Sequence, residues 1–246
     1  SIYIQLESSI KESILKKLKM YVLRSKVSLN LLEETFTSIG FLGSNVLFEL
    51  DIQAPKNYLD IVQYHDIMIM RIGKNSERYQ LMGETSKVNE FIKLNFSAYS
   101  TMSLDDWNNL NILDGIPDIY PATQEIFIPQ SLNMDLIEGI NFKKGCYTGQ
   151  EIVARSQYRG TIKRRLQLAQ TISLNPIHPG QEIFSSKEPD QPCGLVVLAA
   201  KSPGNSDRWI LQIECKLEAM NSLMTLENLN GSPLELLPLP YSLPTL

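Results

Sequence analysis

The residues with most chemistry in them fall in one run, Lys143 to Arg165, which reads KKGCYTGQEIVARSQYRGTIKRR. It holds a thiol at Cys146, an amide and a carboxylate side by side at Gln150 and Glu151, two loop glycines and a succession of Lys and Arg. Core packing requires none of these, so the run points to a site. Gly145 and Gly149 bracket Cys146-Tyr147-Thr148, and because glycine reaches positive φ at little cost, the spacing predicts a tight loop. From Gln150 onward, Ile152, Val153 and the methylene stems of Arg155 and Arg159 fit a short helix with one apolar side. Thr148 is then placed at its N-cap and Glu151 in its first turn, where a carboxylate suits the positive end of the helix dipole. Cys146 falls just before that end and beside Lys144, a setting that favours the thiolate over an ordinary thiol of pKa about 8.5. The thiolate is the nucleophile, which makes Cys146 the candidate reactive cysteine. A free cysteine is as often a small buried hydrophobe, and spacing alone leaves both readings open.

Charge is distributed unevenly around this run. The chain of 246 residues carries a net charge of -4, which argues against a general nucleic-acid binder. Residues 143–165 nevertheless hold seven cations against Glu151 alone, a local +6 that leaves -10 for the remainder. Such a face suits an anion such as a phosphate, a carboxylate or a polyglutamate tail, or it is simply a solvated surface. Hydrophobic residues at 43% and charged ones at 20% belong to a soluble globular chain of one or two domains. The three cysteines are odd in number and form no C-x-x-C pair, which fits a reducing cytoplasm rather than a disulfide scaffold. With His65 and His178 the only histidines, a zinc site is not expected. No apolar run approaches the ~20 residues that span a bilayer.

The elements that must position the site can be read along the chain. Ser8 or Ser9 caps a helix carrying Ile10, Ile14, Leu15 and Leu18. A core-facing helix with no strand before it reads as an N-terminally incomplete chain. Strands are predicted at Ser25–Leu31, Asn45–Ile52, Asp66–Ile72 and Arg78–Met82, with Gly73-Lys74-Asn75 as a turn. Gly73-Lys74 lacks the upstream Gly and the following Ser/Thr of a P-loop. Ser86 is expected to cap a helix with Val88, Phe91, Ile92 and Leu94, and Ser103 a second with Leu104, Trp107, Leu110 and Ile112 that stops at Gly115-Ile116-Pro117. Strands followed by amphipathic helices give an α+β body. After Gly160, short β-rich runs at Leu166–Ile172, Glu182–Phe184, Gly194–Ala199 and Arg208–Cys215 suit a small antiparallel barrel, with Cys193 and Cys215 as packing residues. The expected division is therefore 1–160 for the body and 161–246 for the barrel. Asp105, Asp106 and Asp114 are candidate carboxylates, the first two equally suited to capping. Trp107 on an amphipathic helix is ordinarily a core residue. Two N-x-S sequences, at Asn95 and Asn230, carry no weight in a cytoplasmic chain.

The octapeptide Lys144-Gly145-Cys146-Tyr147-Thr148-Gly149-Gln150-Glu151 resembles the K-G-C-Y-x-G-Q-E signature of the YgfZ-type folate-binding proteins, relatives of the glycine-cleavage T-protein (aminomethyltransferase). Trp107, Gly115-Ile116-Pro117, Phe127-Ile128-Pro129-Gln130, Val153-Ala154-Arg155, Tyr158-Arg159-Gly160, Lys163-Arg164 and Leu239-Pro240-Tyr241 are similar to that family in order and spacing. Where most of the family has a second glycine before the signature, this chain has Glu138. The resemblance implies a T-protein-like mixed α/β body followed by the C-terminal barrel, and an N-terminal strand-rich segment without a counterpart here. It implies folate, as tetrahydrofolate or a derivative, held by Trp107, Tyr147, Gln150, Glu151 and Arg155, with Trp107 as a wall for the pterin. Cys146 is then the functional thiol and Lys144 the cation that favours its thiolate. The implied role is that of an accessory protein rather than a stand-alone enzyme. Such a protein supports assembly or repair of iron-sulfur clusters and, through cluster enzymes and assembly proteins, tRNA modification, with tRNA met only indirectly. The alternative is a folate-dependent aminomethyl transferase, which has no need of the cysteine signature.

Overall fold

The computed structural model describes residues 2–32, 34–74 and 76–244, and the chain folds as two compact units. One comprises Ser1–Lys16 with Met102–Leu246, the other Lys17–Thr101. Residues 102–160 thus share a unit with the strands that follow them.

Helix α1 (Lys11–Lys19) follows a short 3-10 turn whose cap is Glu7, its carboxylate accepting from the Ser9 N–H, rather than Ser8 or Ser9. In the 17–101 unit, β1 (Phe36–Leu42) precedes α2 (Asn45–Glu49), β2 (Ile61–Tyr64), β3 (Ile67–Arg71), β4 (Arg78–Glu84) and α3 (Thr85–Asn95). The strands form an antiparallel sheet in the order β1-β4-β3-β2. Val88 and Phe91 of α3 pack with Phe41, Leu47, Ile69, Tyr79 and Leu81 as its core. Two expectations fail here. Ser25–Leu31 joins no ladder among the described residues, and Val27 and Leu31 are exposed. Alternation stabilises a strand only where a partner strand receives its hydrogen bonds. Asn45–Ile52 is not a strand but begins as a helix. Neighbouring Val46 and Leu47 are both buried while Phe48 faces water, and the Glu77 carboxylate accepts from the Ser44 N–H and hydroxyl at 3.1 and 3.0 Å just before it. The strand that sequence reasoning passed over is β1, in which Thr37, Ser38 and Gly40 dilute the apolar signal. Of the predicted Gly73-Lys74-Asn75 turn, Asn75 lies outside the described residues.

In the other unit, α4 (Leu104–Leu113) has Ser103 at its N-cap as expected, the hydroxyl accepting from the Asp106 N–H at 3.1 Å. Helix α5 (Gln150–Tyr158) leads to β5 (Arg164–Ile172), β6 (Glu182–Ser185), β7 (Gly194–Ser202), β8 (Asn205–Lys216), β9 (Met224–Leu226) and β10 (Glu235–Leu237). These six strands form an antiparallel sheet in the order β10-β5-β8-β7-β6-β9. The sheet curls round, because the stretch entering β10 also reaches β9: the Leu226 N–H donates to Ser232 O at 3.0 Å and the Leu234 N–H to Met224 O at 2.9 Å. Mixed α/β structure with a curled antiparallel sheet is the α+β class that the sequence predicts. Ile183, Val196, Leu211, Ile213, Cys193 and Cys215 are buried together in its core, so both cysteines are packing residues.

Helix α4 lies on β7 and β8, with Ile112 against Leu168, Leu198 and Ala200. Two buried amides fasten it. Asn109 Nδ2 donates to Lys201 O, and Gln212 Nε2 donates to the carbonyls of Asn111, Ile112 and Ile116 at 3.3, 3.3 and 3.0 Å, adding to the backbone bonds that close the C-terminal end of the helix. Gly115 ends α4 at φ +66, and a Cβ there would stand 2.7 Å from the Tyr241 ring. Tyr241 in turn donates its hydroxyl to Gly115 O at 3.0 Å. We expect Gly115→Ala to cost about 2–4 kcal/mol, combining left-handed backbone strain with overpacking. Urea unfolding measures this, and an unchanged midpoint would refute the fit described.

Candidate functional site

The signature loop is held at both ends by a buried polar knot centred on Arg165. This side chain, second in β5, is 4% exposed. Its guanidinium meets the Asp135 carboxylate in bidentate fashion, Nη1 to Oδ1 at 2.6 Å and Nη2 to Oδ2 at 3.0 Å. Nη1 also donates to Gln130 O at 2.9 Å and to Asn133 Oδ1 at 3.4 Å. Asn133 sits in the left-handed region at φ 58 and returns its amide to Leu166 O and the Tyr241 hydroxyl, at 3.0 and 3.3 Å. Gln130 Nε2 then reaches across to Val153 O at 2.7 Å, tying α5 to the same knot. Upstream, the Gly139 N–H closes a turn on Met134 O at 2.8 Å. Glu138 lies within that turn at φ 64, a conformation unstrained for glycine and costly for glutamate. The turn is formed with glutamate at this position.

Between these anchors, residues 140–149 form an exposed loop. Gly149, at φ +87, is the N-cap of α5, which moves the cap one residue beyond the predicted Thr148. The first turn is closed by the Val153 N–H on Gly149 O at 3.3 Å. Gly145 is outside the left-handed region and a Cβ there would meet nothing within 4 Å, so only the second of the two loop glycines is required by its backbone. Cys146 is exposed. Lys144 Nζ stands 4.4 Å from the centroid of the Tyr147 ring, a cation-π contact. Phe142 and Tyr158 meet edge to face at 6.1 Å, joining the start of the loop to the end of α5. Gln150 is half-buried, whereas Glu151 and Arg155 are exposed on α5. One loop-helix unit thus carries Lys144, Cys146, Tyr147, Gln150, Glu151 and Arg155. Trp107 is on another element, half-buried on α4.

The local +6 resolves into two kinds of cation. Lys143, Lys144, Arg155, Arg159 and Lys163 are exposed, while Arg165 is buried on Asp135 and Arg164 is paired through Nε with Glu214. Sequence reasoning missed both pairs, because Arg164-Arg165 reads as an extension of the basic run. The available signal was period 2: Arg165 and Gln167 fall on alternate positions of a strand that is buried from 165 to 169. Among the described residues no group of three or more His, Cys, Asp or Glu is placed to hold a metal. No helix among the described residues is long and apolar enough to cross a membrane.

The three thiols differ sharply in environment. Burial raises the Cys193 thiol above its ordinary range and pushes Cys215 up to about 12. We expect a maleimide at pH 7 to label Cys146 alone in the folded chain and all three cysteines in denaturant. Rapid native labelling of Cys193 or Cys215 would contradict the packing. Because the folded state holds the Cys215 proton more tightly than the unfolded chain, its contribution to stability is complete below the unfolded thiol's pKa, near 9, and is lost as pH rises towards 12.

No protein-family model matches the chain. It is 30% identical over 239 residues to the tRNA-modifying protein YgfZ of Yersinia enterocolitica serotype O:8, a match covering 96% of this chain and 72% of the relative. Against the YgfZ of Blochmanniella pennsylvanica it is 34% identical over 157 residues, covering 62% of this chain and 47% of that one. Among solved structures, the glycine cleavage system aminomethyltransferase T of Bartonella henselae superposes with a TM-score of 0.66 at 13% identity, over 92% of this chain. The chain spans 64% of the length of that structure, and the likeness is one of fold. Kinship in sequence comes instead from the first comparison, with its identity sustained over nearly three quarters of the relative, and by it this chain belongs to the YgfZ family.

Proposed function

We propose that this chain is a folate-binding accessory protein for assembly or repair of iron-sulfur clusters in the cytoplasm, supporting cluster-dependent tRNA modification, with Cys146 as its functional thiol. One observation carries the reading: of the three cysteines, Cys146 alone is exposed, on a loop clamped at both ends and flanked by exposed cations. A thiol used only for packing has no reason to be there. In this reading Lys144 is the cation beside the thiol, and Glu151 and Arg155 orient the loop.

Folate fits the residues present. Trp107 is half-buried, so its indole keeps surface available for stacking on a pterin, and Tyr147, Gln150 and Arg155 offer ring, amide and guanidinium to the rest of the molecule. Bound folate would supply one-carbon chemistry; the chain's own contribution is to hold it and to keep a nucleophilic sulfur accessible. In this reading residues 1–160 act as the folate-binding body and 161–246 as the barrel. Its partners are cluster-carrying enzymes or assembly proteins, with tRNA met through them. In this reading the cluster is cargo rather than a resident group.

Cys146→Ala is expected to abolish complementation of a strain lacking the family protein while changing stability by less than about 0.5 kcal/mol, as surface substitutions do. Complementation by the variant at wild-type level would defeat the proposal. Tetrahydrofolate is expected to quench tryptophan fluorescence through Trp107. Trp209 is 7% exposed with its indole N–H on Ser173 O at 3.1 Å, so the quench should survive Trp209→Phe and vanish in Trp107→Phe. A flat titration would count against the folate site.

A further inference from the structure

A cleft beside α5 shares no residue with 144–151 or Trp107. It encloses about 580 Å³ between the 126–131 segment and the 160–164 linker, the size of a site for a small organic molecule. Phe127, Ile128, Ile162 and Leu195 give it apolar walls. Ser131, Ser156 and Thr161 contribute hydroxyls, and Lys163, Arg164 and Glu214 supply its charged part.

The arrangement of that arginine identifies the ligand class. Arg164 Nε donates to both oxygens of Glu214, at 2.8 and 3.0 Å. The Glu214 side chain is 4% exposed and so forms a fixed, buried backstop, while that of Arg164 remains 35% exposed. A guanidinium has five N–H donors, and here one is engaged from behind. The four on the terminal nitrogens make no hydrogen bond to a described residue, which leaves the end-on fork that pairs with a planar two-oxygen acceptor. Glu214 neutralises Arg164, and Lys163 leaves the cleft with one net positive charge, matching a monoanion. The apolar walls call for a hydrophobic body behind the anionic head, since a bare anion would leave them wet.

We propose that this cleft binds a small organic carboxylate, its head on the free edge of Arg164 and its apolar body against Phe127, Ile128, Ile162 and Leu195. The site is independent of the folate reading, and neither stands or falls with the other.

The test is a titration of the intact chain with 3-phenylpropanoate, followed by methyl NMR of Ile128, Ile162 and Leu195. The uncharged 3-phenylpropanamide and inorganic phosphate serve as comparison probes. The carboxylate should shift these methyls saturably with a Kd on the order of 1 mM or tighter. The amide should bind at least about tenfold more weakly, having lost the charge-assisted pair, and phosphate should leave the methyls unmoved. Arg164→Lys should weaken binding by roughly tenfold, since an ammonium lacks the fork. Ile128→Trp, at a partly exposed wall position, should fill the cleft and abolish the shifts without lowering the melting temperature; it keeps the test valid if the arginine variant destabilises the fold. Absence of shifts up to about 20 mM, equal binding of the amide, or undiminished binding to Ile128→Trp would overturn the assignment.

Discussion

The buried pairing of Arg165 with Asp135 is the constraint on which the site's geometry rests. Two charges withdrawn from water rarely add much net stability, but removing either partner strands the other at a cost of about 3–5 kcal/mol. The pair's value is in fixing position. Arg165 is set by its place in β5 opposite Cys215, so everything that touches its guanidinium inherits the register of the six-stranded sheet. Gln130, Asn133 and Asp135 are held in this way, and Gln130 passes the constraint on to α5 through Val153. A loop of ten residues can then be open to solvent and still have its two ends at fixed points.

This division of labour separates the chain's cysteines. Cys193, just before β7, and Cys215, in β8, are enclosed by Ile183, Val196, Ile213 and their neighbours, where a neutral thiol is simply a small apolar group. The loop cysteine has no such enclosure. Exposure of Cys146 and enclosure of the other two follow from which side of the Arg165 anchor each residue falls on, the rigid sheet or the tethered loop.

Much of the fold could be read from the residues, for identifiable reasons. The strands of the C-terminal sheet combine β-branched runs with Pro-Gly punctuation, and four of the six emerge close to the predicted positions. Ser103 and Gly115 mark α4 because capping and left-handed termination are local physics. The failures lie where tertiary context decides. Asn45–Ile52 has strand-like composition, but adjacent burial of Val46 and Leu47 suits a helix turn packed on a sheet. The candidate site was legible as a cluster of reactive types, while its support was not. Gln130, Asn133 and Asp135 are short polar residues in an irregular stretch, and nothing in their spacing reveals that a cation more than 25 residues later will gather them.

The closure of the curled sheet by residues 232–237 has a further consequence. Without that stretch, the remaining five strands would present two rows of unpaired amides and carbonyls, along β5 and along β9, each a template for a foreign strand. A single short segment covers both, pairing Leu237 with Leu168 on one side and Leu234 with Met224 on the other. Protection against self-association is therefore concentrated in six residues, and it is completed only when that last stretch of the sheet has docked.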